Sequence, residues 1–382
     1  MIDPHVHLRD WNWKHKETIE HGLMVAEKVG LDAVFDMPNV AYHAAGKPII
    51  SRELVEWRLR DAKKCNSPVF YGLYVGVTAN PEQIKEAVQS WGDFFPREFL
   101  GERASVGVVG LKMFAGHSVG DLAVIQEEDQ KRVYETLVKE DYEGVLAVHC
   151  EKESWMTPEF WKFEDPISHY NARPSVAEIE SVRDQISFAV QTGYAIKEKS
   201  KGKLHLLHLS TPEAIDLVNS KRDILNISCE TTPNHLLLTR DVMRMPNGIM
   251  YKVNPPLRAL SEQFWVLEKF KRGLIDVLGS DYAPHTLAEK TGKAKDAKGS
   301  PQYMSGIPGL SCWPHYITNL AVLGVPEQVL ESTFLDNTNV NRIFGTNIKV
   351  RGLPETGRLA RWEDVQSLTK DYAFNPAEYI NS

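Results

Sequence analysis

Cysteine is scarce in this chain. The four present, Cys65, Cys150, Cys229 and Cys312, stand far apart with no C-x-x-C pair, so neither a disulfide framework nor a zinc knuckle is on offer. No apolar run approaches the ~20 residues that a membrane-spanning helix requires. The start lacks a basic segment followed by an apolar one, so no signal peptide is expected and the cytoplasm is the default compartment. Positive charge is in deficit as well. With 44 Lys and Arg against 51 Asp and Glu, the formal charge of −7 argues against nucleic acid or an anionic membrane as the main partner. A small anionic substrate stays open, because one or two arginines in a cleft can hold it. No G-x-G-x-x-G follows any candidate strand, which counts against a dinucleotide site.

What is present is the composition of a globular protein, 42% hydrophobic and 25% charged over 382 residues, enough for one large core or two ordinary ones. Eight short apolar, β-branched runs punctuate it: Ile2–Leu8, Ala33–Met37, Val69–Val77, Val108–Phe114, Gly144–Cys150, Leu204–Leu209, Ile224–Cys229 and Ile275–Gly279. Between them lie segments of helical period, among them Thr18–Val29, Ser51–Lys63, Glu127–Lys139, Val176–Lys197 and Leu260–Lys271. This alternation predicts an α/β fold, a (β/α)8 TIM barrel, with a doubly wound open sheet as the rival. The lysine-rich stretch Leu287–Tyr303 has no apolar period and reads as a mobile loop. From about Asn347 the chain is polar and irregular, so we divide it into a barrel, 1–346, and a tail, 347–382, packed on that barrel.

Residues with metal-ligand chemistry recur at the ends of these runs. In an extended strand positions i and i+2 share a face, so His5 and His7 can grip one cation together, and Arg9 continues that face. His149 and His208 close two later runs, and strand ends converge at a barrel mouth. Asp281 follows Gly279-Ser280 as either a further ligand and general base or the N-cap of a following helix. Lys112 lies within the apolar run Gly110–Phe114, where an unpaired ammonium is expensive. It either snorkels at the strand end or reacts with CO2 to give an anionic carbamate able to bridge two cations. Two zinc ions would then each find four or five ligands, and a hydroxide between them would be a nucleophile at neutral pH. Arg9, Asn39 and His285 on the same rim would form an anion pocket, although an Asn after Pro is also an ordinary turn residue.

Together these segments resemble the amidohydrolase superfamily and, within it, the dihydroorotases. The matching stretches are Asp3–Arg9, Asp36–Asn39, Gly110–Phe114, His149–Glu151, His208–Ser210, Glu230–Leu238, Lys252–Arg258, Gly279–His285 and Ser305–Leu310, in family order over nearly the whole chain. The resemblance implies that His5, His7 and Asp281 ligate one Zn2+, that His149 and His208 ligate a second, and that N6-carboxylated Lys112 bridges them. It makes Arg9, Asn39 and His285 holders of a substrate carboxylate, and places Asn254 on the pyrimidine ring edge. The implied reaction is the reversible hydrolysis of (S)-dihydroorotate to N-carbamoyl-L-aspartate, the third step of pyrimidine biosynthesis, with Asp281 as general base and then general acid. It also implies a homodimer, and association with aspartate carbamoyltransferase is an open option.

Arg9 and Asn39 favour this reading over hydantoinases and dihydropyrimidinases, whose substrates carry no carboxylate at that place, and over allantoinases, which diverge at both positions. A non-catalytic scaffold predicts gaps among the six ligands, and none is missing. Many relatives carry a longer segment before the H-x-H strand, so the β-sandwich it helps build is expected to be reduced or absent. Tyr282 and Asn234 stand where many relatives have His, which puts loop packing in question.

Overall fold

The computed structural model describes residues 1–40, 48–96, 104–118, 122–296 and 298–349. Eight strands stand side by side in chain order: β1 (Ile2–Val6), β2 (Ala33–Asp36), β3 (Phe70–Gly76), β4 (Val106–Ala115), β5 (Val145–Cys150), β6 (Lys203–Leu206), β7 (Ile227–Thr231) and β8 (Val277–Leu278). Every pairing is parallel, and each connection carries a helix, as parallel neighbours require. The ring closes where Val6 bridges Tyr282 and the His7 N–H donates to the Tyr282 carbonyl at 2.8 Å. The fold is thus the (β/α)8 barrel and not the open sheet.

Local chemistry explains the helices. The helix Ile19–Val29 starts where the Thr18 hydroxyl accepts from His21 N–H, and stops at Gly30, whose φ of 91° suits a residue without Cβ. Its buried stripe of Ile19, Leu23, Ala26 and Val29 joins the layer between strands and helices. A second cluster fills the barrel itself. There Phe35, Phe70 and Tyr74 meet Val340, Ile343 and Phe344 of the helix Thr338–Phe344. Phe344 lies edge-on to Phe35 at 5.1 Å and to Tyr74 at 6.0 Å, closing the end from which the strands start.

One buried ion pair aims the chain leaving β1. Arg58 Nη2 lies 2.6 Å from Asp36 Oδ2, while Arg58 also donates to the Leu8 carbonyl and, at 3.1 Å, to that of Arg9. Asp36 in turn accepts from Leu8 N–H at 2.8 Å. Removing either partner would strand a charge in the interior.

The structure moves several expected boundaries. Strand β7 begins at Ile227, not Ile224, because Leu225 is used in an antiparallel bridge to Ile196. The helix expected to reach Lys197 ends at Thr192, where Gly193 adopts φ 86° and donates to the Ala189 carbonyl. Leu287–Tyr303 is not featureless: Thr286 and Glu289 form a capping box on the short helix Leu287–Lys290. Lys290 in that turn is buried and donates to the Gly306 carbonyl at 2.7 Å. Of the expected tail, residues 350–382 lie outside the described residues.

Candidate metal centre

His5 and His7 leave β1 with their rings fixed from behind. His5 Nδ1 is 2.7 Å from Glu230 Oε1, and His7 Nδ1 is 2.7 Å from Asn39 Oδ1. With Nδ1 donating to an oxygen in each case, the Nε2 lone pairs are left to face forward, as in histidine metal sites. Both face Asp281 Oδ1, at 3.3 Å from His5 and 3.1 Å from His7. The ligand atoms of these three residues all fall within 4.8 Å of one another. Burial drives His7 down to about 4, so its ring is neutral at pH 7. Burial alone would raise Asp281, but His5, His7 and Lys112 outweigh it and bring that carboxyl to about 2. A neutral imidazole and a carboxylate turning lone pairs on one point is a repulsive arrangement that a cation resolves.

His149 and His208 complete a continuous row of imidazoles. His149 Nδ1 is 2.9 Å from His208 Nε2, and the His5 and His208 rings are 5.3 Å apart. His149 Nε2 lies 3.0 Å from Glu151, which Arg173 grips through Nε at 3.0 Å. Burial pushes Glu151 up, yet Arg173 and His149 hold it well below the ordinary carboxylate range. Burial likewise keeps His149 and His208 in the neutral form that ligates metals.

Lys112 stands in β4 beside this row. Its Nζ is buried without a hydrogen-bond partner, 4.5 Å from the Phe114 ring, and burial lowers it to about 7. Partnerless atoms recur at His208 Nδ1 and Arg9 Nη1. Buried polar atoms are rarely left so, and the residues present therefore fit a site completed by cations, an added carboxylate on Lys112 and an anionic ligand. His208 at φ 39° and Asp281 at φ 48° both take the left-handed backbone region, which costs a residue with a side chain ~1–3 kcal/mol. Asp281 is not a helix N-cap here.

One cleft is lined by His5, His7, Arg9, Asn39, Lys112, His149, His208, Asn254 and Asp281. His285 is placed differently, behind Arg9, with Nε2 3.2 Å from Arg9 Nη2. Asn39 both lines the cleft and orients His7. Asn254 Oδ1 accepts from Ser305 at 3.1 Å and faces His169 Nε2 at 3.0 Å. Sequence reasoning gave no role to Glu230, or to Phe114, Ser118, Ala283, Ser305 and Gly306 on the cleft wall. Glu230 was detectable as a carboxylate ending a strand. Gly306, at φ 147°, packs so near the Ala283 carbonyl that a Cβ would lie 2.3 Å from it. Tyr282 and Asn234 are both accommodated: Tyr282 donates to Glu17, and Asn234 accepts from Tyr316 at 3.2 Å.

Known proteins resemble this chain over most of its length. It is 32% identical over 369 residues to a dihydroorotase of Archaeoglobus fulgidus, covering 94% of this chain and 75% of that one. With a dihydroorotase of Methanosarcina mazei the identity is 30% over 366 residues, covering 92% and 70%. The chain belongs to the dihydroorotase family. No family model matches it. Among solved structures, an L-hydantoinase from Arthrobacter aurescens aligns with a TM-score of 0.74 at 21% identity, over 92% of this chain and 72% of that one. A dihydroorotase from Saccharomyces cerevisiae in complex with 5-fluoroorotic acid gives 0.65 at 16%, over 94% and 86%. These two likenesses concern the fold alone. As a member of the dihydroorotase family the protein is a metal-dependent cyclic amidohydrolase acting on a small molecule. Among the described residues no helix is long and apolar enough to cross a membrane.

Proposed function

We propose that this enzyme is a dihydroorotase in activity, interconverting (S)-dihydroorotate with N-carbamoyl-L-aspartate. The observation that carries the reading is Arg9, a buried guanidinium on the cleft wall whose Nη1 has no hydrogen-bond partner, beside the His5, His7 and Asp281 cluster. Such a group asks for a carboxylate, and dihydroorotate carries one next to its ring amide.

His5, His7 and Asp281 would hold one zinc ion, His149 and His208 a second, and Lys112 as N6-carboxylysine would join the two. When bound, such ions supply Lewis acidity that polarises a carbonyl and makes water a stronger acid. Asp281, ionised at neutral pH, takes a proton from the attacking water and returns it to the departing ring nitrogen. Arg9 orients the substrate through its carboxylate, with Asn39, Asn254 and His285 supporting the same end.

The test is turnover by zinc-loaded protein. It should open dihydroorotate, and close N-carbamoyl-L-aspartate, with kcat/KM at least ~100-fold above that for dihydrouracil or hydantoin, as the loss of a charge-assisted hydrogen-bond pair implies. Preference for an uncharged ring would transfer the enzyme to the hydantoinase type.

A further inference from the structure

Behind the cleft wall lies a polar relay that the metal chemistry does not use. It joins the loop after β1 to the loop after β8. Arg9 Nη2 is 3.2 Å from His285 Nε2, His285 Nδ1 is 3.3 Å from Lys16 Nζ, and Lys16 Nζ is 2.9 Å from Glu289 Oε1. The Lys16 side chain is only 4% exposed, and its ammonium sits 4.5 Å from the Trp13 ring, which also faces Arg9 at 5.5 Å. Glu289 is itself anchored, accepting from Thr286 N–H at 3.0 Å in the capping box.

This relay contains a conflict. A neutral imidazole has one N–H and one lone pair, yet both nitrogens of His285 have a cationic donor as their nearer neighbour, Glu289 Oε2 standing farther from Nδ1 at 3.8 Å than Lys16 at 3.3 Å. If the lone pair serves Arg9, the Nδ1–H points at an ammonium. If it serves Lys16, the Nε2–H points at a guanidinium. Glu289 favours the second arrangement, because at 2.9 Å it keeps Lys16 charged and placed to donate to Nδ1, whereas Arg9 lines the cleft and can turn its donors to a carboxylate bound there. His285 then presents Nε2–H alongside Arg9, and the two donors need a common acceptor. Two cations against the single carboxylate of Glu289 leave the cluster one negative charge short.

We propose that Lys16, held by Glu289, fixes the Nε2–H tautomer of His285 and so completes the carboxylate-binding end of the cleft as a positioning residue. This rests on dihydroorotate being the substrate, and it adds to that reading a specificity element that lies behind the cleft wall, not in it. Lys16 touches His285 and not the cleft, so its effect falls on substrate capture and not on the ring-opening step.

The experiment is nitrogen NMR of the histidine rings in zinc-loaded protein, with His285 assigned by its loss in His285→Gln, alongside steady-state kinetics on dihydroorotate. Wild type should show His285 protonated on Nε2. Lys16→Met should move the proton toward Nδ1 and raise KM ~10-fold or more, with kcat changed less than ~3-fold and zinc content unchanged. Lys16→Arg, which still donates, should retain the wild-type tautomer. If Lys16→Met fails to fold, Glu289→Gln should produce a weaker shift of the same sign. An Nδ1–H tautomer in wild type, or an unchanged KM in folded Lys16→Met, overturns the proposal. Failure of wild type to open dihydroorotate would instead overturn the substrate assignment and the specificity role with it, while the ring spectrum still decides whether Lys16 sets the tautomer.

Discussion

At the mouth of the barrel, four imidazoles, a carboxylate and an ammonium crowd together, with Lys112 Nζ, His208 Nδ1 and Arg9 Nη1 lacking partners. At the opposite end, Phe35, Phe70, Tyr74 and Phe344 meet edge to face and leave the strand starts sealed. The same eight strands serve both ends, so the difference is one of assignment. Residues at strand exits are selected for chemistry and tolerate unmet polarity and left-handed backbone. Residues at strand entries are selected for packing and supply the stability on which the mouth draws.

That contrast can be broken by substitutions at each end. The largest effect is expected from Lys112→Ala, which on the proposed mechanism removes the group joining the ions and should lower kcat/KM by at least ~10⁴-fold, with partial rescue by short carboxylic acids. Its melting temperature without metal should not fall, since a buried unpartnered amine is removed; a large destabilisation would make Lys112 a structural residue. Phe344→Ala is the converse. It should cost ~3–5 kcal/mol of stability, read by denaturant titration, while the folded fraction keeps its kcat/KM. Arg9→Met should come next, raising KM for dihydroorotate by ~100-fold with zinc content near normal. Parallel loss of zinc would reassign Arg9 to the metal site.

The smallest effect concerns acid. Burial pushes Glu230 up, but His5 and His205 together hold it at about 2, below its ordinary 4.5. A carboxyl depressed in the folded state contributes stability that is full above pH 4.5 and disappears as pH falls through 2. The stability gap between wild type and Glu230→Gln, measured without metal, should therefore narrow from pH 6 to pH 3. A gap that widens would show that Glu230 is protonated in the fold.

Much of this was legible in the residues, and the reasons are physical. Strand exits bear polar groups that interrupt apolar runs, so His5, His7, His149, His208 and Asp281 announce themselves, and the βα alternation announces the barrel. Periodicity is less informative where tertiary contact decides. Leu225 looks like strand but is spent on a bridge to Ile196, and Gly193 ends a helix whose apolar spacing continues. The small helix at Leu287 was readable in Thr286-Leu287-Ala288-Glu289, a capping-box spacing that the surrounding lysines obscured. Interactions between distant segments were not readable at all. Nothing near Asn39 says that it orients His7, and nothing near His285 says that it stands behind Arg9.

The seam between β1 and the segment after β8 carries a last consequence. His7 and Asp281 are 274 positions apart, and they come together only where Val6 finds Tyr282. An ion held between them, as proposed above, would act as a clasp whose two jaws belong to the first and last turns of the ring. Its uptake would then require the circle to be completed, since neither jaw alone brings both ligands together.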